Sequence, residues 1–185
     1  MERYSACMQH SADSVKRFVR LQYQTFEWWR KLIILLLSVF CMLAGIASRS
    51  PVLTVFCLFA GALLITNIDR REQSVAEEVI RAVQGQYPRL EYAFSDTGFT
   101  DGEDRPTVPY RGLIRLIADE DYLYLFSSRA SGYMIDKGTV EGPEGADGLM
   151  RLIAEQSGLV WSGPVTLLSF RLRDLKTLRR KRSGR

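Results

Sequence analysis

Apolar residues in this chain are gathered into one block instead of recurring along it at amphipathic spacing. Seventeen uncharged residues, Leu32 to Ser48, and nineteen more, Ser50 to Ile68, flank Arg49, and both runs are dominated by Leu, Ile, Val and Phe. At ~1.5 Å per residue they predict helices of roughly 25 to 28 Å, slightly under the ~30 Å hydrocarbon thickness of a bilayer. The link Ser48-Arg49-Ser50-Pro51 is so short that the helices must be antiparallel neighbours, and proline is well tolerated in a first turn. Buried core helices would carry a polar face, which neither segment has. A cleaved leader would not begin its apolar run after about thirty residues and then be followed by a second one. The pattern predicts a transmembrane hairpin of 32–48 and 51–68.

The flanks complete the spans. Trp28 and Trp29 suit the interfacial level, with Arg30 and Lys31 snorkelling to headgroups and Arg70 and Arg71 on the return side. Basic residues gather before and after the hairpin while only Arg49 faces the other way, so both termini are expected in the cytoplasm. Ala44, Gly45 and Ala47, with Ala60, Gly61 and Ala62, permit close helix approach.

Outside the block the period changes. Tyr4, Ala6 and Met8 alternate with polar neighbours as in a short strand, and Ser11 and Asp13 can cap a helix running toward Trp28. The N-terminus is thus expected to belong to the folded domain, with the hairpin inserted into it. After the hairpin, Arg70 to Gln84 predicts a helix carrying Val75, Val79, Ile80 and Val83 on one side. Strands are predicted at Leu90 to Phe94, Val108 to Ala118, Tyr122 to Phe126 and Gly132 to Ile135, as an antiparallel meander. Turns are expected at Asp96-Thr97-Gly98 and Asp119-Glu120-Asp121. Glu144 to Gln156 predicts a closing helix, with Gly158 as its stop. The fold class is α+β: a transmembrane helical hairpin plus a small antiparallel β domain closed by a C-terminal helix. The divisions fall at 1–31 (strand and juxtamembrane helix), 32–68 (hairpin), 69–160 (cytoplasmic β domain) and 161–185 (basic tail).

Charge changes the picture once it is divided by segment. The net charge is +4, but Asp69 to Phe170 holds ten basic against seventeen acidic residues, while the last fifteen residues hold eight basic and one acidic. An acidic domain repels phosphate unless a local basic pocket overrides its field, so nucleic acid is not an expected partner. Cys41 and Cys57 lie in the apolar block, and Cys7, Cys41 and Cys57 have neither disulfide nor metal spacing.

Chemistry-bearing patterns are sparse. The sequence shows no nucleophile elbow, HExxH or phosphate loop, and no cofactor is expected. His10 beside Ser11 and Asp13 reads as helix capping, since residues so close in sequence cannot line up as a triad. Asp101, Glu103 and Asp104 lack the ligand spacing of a calcium loop, and Asp119, Glu120 and Asp121 read as a hairpin tip. Tyr122, Tyr124, Phe126 and Tyr133 are expected either to pack a core face or to line a peptide groove, and an unpaired sheet edge could accept a partner strand. In the tail, Arg171, Arg173, Lys176, Arg179, Arg180, Lys181 and Arg182 suit contact with an anionic leaflet, or a solvated end.

The runs Leu90-Glu91-Tyr92-Ala93-Phe94, Gly98-Phe99, Tyr110-Arg111-Gly112-Leu113-Ile114, Asp121-Tyr122-Leu123-Tyr124-Leu125-Phe126 and Met134-Ile135-Asp136-Lys137 together resemble the YcxB-like family over about residues 4 to 158. The resemblance implies a bacterial inner-membrane protein with a two-helix anchor and a domain similar to pleckstrin-homology (PH) domains. It does not extend to the tail, and it implies no mechanism. The expected function is a non-enzymatic, membrane-tethered interaction module whose PH-like domain binds a protein partner or self-associates. The alternative is an accessory or regulatory subunit of a membrane transporter, its hairpin packed against other membrane helices.

Overall fold

A computed structural model describes residues 3–102 and 105–164. The chain enters as strand β1 (Tyr4–Gln9), whose Ala6 and Met8 are buried while their neighbours are not. Ser11 then caps helix α1 (Ala12–Phe26): its hydroxyl accepts from the Ser14 amide, and the Ser11 amide donates in turn to the Ser14 hydroxyl oxygen. Asp13 lies in the first turn and does not cap.

Two helices long and apolar enough to cross a membrane follow: α2 (Trp28–Ala47) and the run Pro51–Val83, made of α3 (Pro51–Thr66), a short turn and α4 (Arg70–Val83). α2 and α3 pack side by side along a seam of small residues. A Cβ on Gly45 would stand 2.6 Å from Cys57 Cβ, and one on Gly61 would stand 2.8 Å from Met42 Cγ. Ser38 is fully buried and donates to the Gly61 carbonyl at 2.8 Å, while Thr54 donates to the Gly45 carbonyl at 2.7 Å. Most of the large apolar side chains on the hairpin face outward, with Phe40 69% and Phe59 64% exposed. Core helices of a soluble domain hide such residues; these two hide almost none.

α4 ends one residue earlier than expected. Gln84 and Gly85 both take positive φ, 50° and 77°, and turn the chain back into β2 (Arg89–Phe94). β2 pairs antiparallel with β1 along its whole length, from Tyr4 opposite Phe94 to Gln9 opposite Arg89, so the hairpin is spliced between two neighbouring strands.

The rest of the domain forms two four-stranded sheets, not one meander. The first has the order β1-β2-β3-β4, with β3 at Gly98–Thr100 and β4 at Val108–Pro109; the second has the order β7-β6-β5-β8. Its strands are β5 (Arg115–Ala118), β6 (Tyr122–Phe126), β7 (Gly132–Asp136) and β8 (Trp161–Ser162), the last pairing parallel to β5. The strand expected from Val108 to Ala118 is broken at its centre by a short 3-10 turn, Tyr110–Gly112, where the chain leaves one sheet for the other. Tyr110, buried there, donates its hydroxyl to the Ser95 carbonyl at 2.9 Å. On the opposite side β1 stitches the sheets together. Ser5 and Glu141 exchange both backbone hydrogen bonds, and Thr139 Oγ1 bonds the Cys7 amide and carbonyl. Helix α5 (Gly145–Ser157) closes the domain with Leu149 and Ile153, both fully buried among Phe94, Phe99, Leu123, Leu125 and Ile135.

Candidate functional site: a cleft between the two stalk helices

Tyr124 and Phe126 project from the outer face of β6, opposite in parity to the core residues Leu123 and Leu125, and α1 lies across them. Phe18 stacks on Phe126 at 5.7 Å between ring centroids, and Phe26 meets the same ring edge-on at 5.2 Å. Tyr124 and Phe126 are thus fully buried under a helix of the same chain, while Tyr122 and Tyr133 stay partly exposed. Arg17 fixes the other end of the contact: its guanidinium donates to Asp121 at 2.9 Å, pairs with Asp119 at 3.1 Å and lies 4.9 Å from the centre of the Tyr122 ring. Burial works against the Arg17 charge, but the bond to Asp121 and the nearby Asp119 outweigh it and raise its pKa. Tyr124, buried and donating to Asp119 at 2.8 Å, is held far above its ordinary pKa by both effects. The acidic hairpin tip is therefore an anchor for α1.

α4 rests on α1 and leaves part of its valine stripe uncovered. Between the two helices, the start of β2 and the β6–β7 turn opens a cleft of about 890 Å³, at the upper end of the usual range for ligand pockets. Phe18, Val19 and Phe26 of α1 form one wall, Val75, Val79 and Val83 of α4 form the other, and Leu90 lies at the far end. Gln22 closes part of the rim, donating to the Arg129 carbonyl at 2.7 Å. His10 stands at the far end, and burial pushes its pKa below the ordinary value, favouring the neutral ring.

Near the base of the hairpin the cleft meets the basic residues expected at an interface. Trp29, Arg30 and Arg71 line it there, while from the β domain Arg129 lies by Gln22 and Arg105, paired with Asp101 near His10, lies toward the far end. Arg30 is paired with Glu27, the one acidic side chain in the lining, and Arg105 is paired with Asp101 at 2.7 Å. Arg71 and Arg129 hold no side-chain ion pair or hydrogen bond among the described residues. Arg70 points elsewhere, 3.3 Å from Asn67 Oδ1. Lys31, expected to reach for headgroups, is turned inward instead. Its ammonium bridges Asp69, at 2.6 Å, and the buried Glu72, because α4 begins beside the first turns of α2. It ties the two legs of the hairpin together.

Trp28 and Trp29 are exposed beside this base. The tail residues Arg171, Arg173, Lys176, Arg179, Arg180, Lys181 and Arg182 lie outside the described residues, as do Glu103 and Asp104 of the acidic loop. No cluster of His, Cys, Asp or Glu suited to a metal ion occurs among the described residues. The cleft itself was not foreseeable from spacing, since its walls come from three separated segments; the only signal was the valine stripe of α4. Compared with family models, curated proteins and solved structures, the chain matches none.

Proposed function

We propose that the chain is a non-enzymatic, membrane-tethered interaction module, with the α2–α3 hairpin crossing the bilayer and a PH-like β domain held against its cytoplasmic face to bind a protein partner or a second copy. The observation that carries this reading is the splice of the hairpin between β1 and β2. Two legs lead from the anchor into one sheet, and Lys31 and Arg17 brace them, so the domain is held at a fixed short reach instead of on a flexible leash. Such a mount suits a docking platform. The transporter-subunit alternative draws less support, because Gly45 and Gly61 are turned toward each other's helix and leave no glycine seam for another membrane helix.

At β4 and β8, two of the four sheet edges, side-chain docking is favoured over strand addition. β4 and β8 have two residues each, and β4 contains Pro109, which has no amide to offer. Beside β8 stand the exposed apolar residues Ile114 and Val160. A photoreactive residue replacing Val160 in the full chain, activated in native membranes, is expected to give one discrete protein adduct. The chain is also expected to remain in the membrane pellet after carbonate washing. Release by carbonate would refute the tether, and absence of any adduct from Val160 or Ile114 would refute the protein-docking role.

A further inference from the structure

We infer that the cleft between α1 and α4 holds a single anionic phospholipid, its acyl part against Phe26, Val75 and Val79 and its phosphate between Arg71 and Arg129. The inference rests on the membrane reading above, which sets the hairpin base at the level of lipid headgroups. Three observations carry it.

The first is shape. The cleft runs along α1 from Val15 to Phe26, about 17 Å at ~1.5 Å per residue, and its volume of about 890 Å³ accommodates one extended amphiphile. The second is the distribution of polarity. Phenylalanine and valine form the two facing walls, Arg129 lies beside Gln22, and Arg30, Arg71 and Trp29 mark the end that opens at the hairpin base, opposite His10. The third is charge. In a domain with an excess of acidic residues, this lining has four arginines and one glutamate; the glutamate is neutralised by Arg30, Arg105 is held by Asp101, and among the described residues Arg71 and Arg129 are left for a ligand. Paired guanidiniums are suited to phosphate, to which they can bond bidentately. The same charge argues against the basic tail as occupant, because its eight basic residues would face these arginines.

Native mass spectrometry of the full chain, released from mild detergent after exchange with defined lipids, tests the assignment. One tightly held phosphatidylglycerol is expected, in preference to phosphatidylcholine. Arg71→Glu combined with Arg129→Glu should weaken retention by roughly tenfold or more, the scale of a lost charge-assisted contact. Val79→Trp, which fills the cleft, should do the same. Arg70→Glu, at the same base but outside the cleft, should leave retention unchanged, and circular dichroism should show all three variants folded. Equal retention of both lipids, or indifference to Val79→Trp and to the double charge reversal, would mean lipid merely surrounding the hairpin and would overturn the inference. A photoreactive residue at Val79 that crosslinks to a second copy or to the tail would overturn it in favour of a protein occupant. If carbonate releases the chain from membranes, the tether fails separately; binding of short-chain phosphatidylglycerol, sensitive to the same substitutions, would then still decide the occupant of the cleft.

Discussion

The hairpin and the β domain solve opposite packing problems in one chain. The domain fully buries five aromatic side chains, Phe94, Phe99, Tyr110, Tyr124 and Phe126, and is held by the apolar area it removes from water. The hairpin does the reverse: its largest side chains point outward, and the seam between its helices is made of Gly45, Gly61, Ser38 and Thr54. Where the surroundings are as apolar as the side chains, close approach of backbones and buried hydrogen bonds replace the hydrophobic effect as the cohesive force. The same substitution type should therefore have contrary effects in the two regions.

The largest difference is expected from removing a phenyl ring. Phe126→Ala empties a fully buried site that Phe18 and Phe26 both touch, and should cost about 3–5 kcal/mol. Phe40→Ala, on the outer face of α2, should leave domain stability within about 0.5 kcal/mol. Denaturation of the full chain in mild detergent, followed by near-ultraviolet circular dichroism, compares them; equal losses would mean that the hairpin and domain do not pack by different rules.

Next comes an added side chain. Gly61→Leu must displace Met42 or part the helices, at a cost of about 1–3 kcal/mol in hairpin packing. Spin labels on Leu37 and Phe59, with the native cysteines replaced, should report a longer and broader distance, while the melting of the β domain stays unchanged. An unaltered distance would show that the seam has slack.

The smallest effect sharpens the domain side of the comparison. His10 packs near Phe18, Leu90, Tyr92 and the Arg105-paired Asp101, and burial lowers its pKa from the ordinary 6.5. The unfolded chain then binds the proton more readily than the folded one. The contribution of the neutral ring is complete above about pH 6.5 and falls as the pH drops through that value toward the lower folded pKa. His10→Gln should flatten the loss of stability between about pH 6.5 and 5, measured by thermal melts across that range. A slope identical to the parent's would show that other groups govern it.

Period and punctuation made some of this structure legible. The uninterrupted apolar runs around Arg49 mark α2 and α3, and the alternation of Tyr4, Ala6 and Met8 marks β1. Ser11 marks the start of α1, and Gly158 the end of α5. What could not be read depends on contacts distant in sequence. Val108 to Ala118 reads as one strand only if Pro109 and Gly112 are passed over; the chain turns at Tyr110–Gly112, where the Tyr110 hydroxyl donates to the Ser95 carbonyl across a sheet corner. Tyr124 and Phe126 read as a core face or a groove until α1 is placed on them, and Asp119 and Asp121 are bland turn residues until Arg17 arrives. Lys31 has the composition of an interfacial lysine, and only the return of α4 beside it supplies the carboxylates that hold it.

The splice also imposes an order of events during synthesis. β1 emerges first but has no partner until β2 has been made, and the segment around Thr139 and Glu141 on its other side is later still. At ~5–20 residues per second, the stretch from Tyr4 to Phe94 takes roughly 5 to 18 s to appear. Throughout that interval the first strand is an unpaired edge, and both apolar helices emerge before it can be sealed. The hairpin is therefore completed before the domain can close around it.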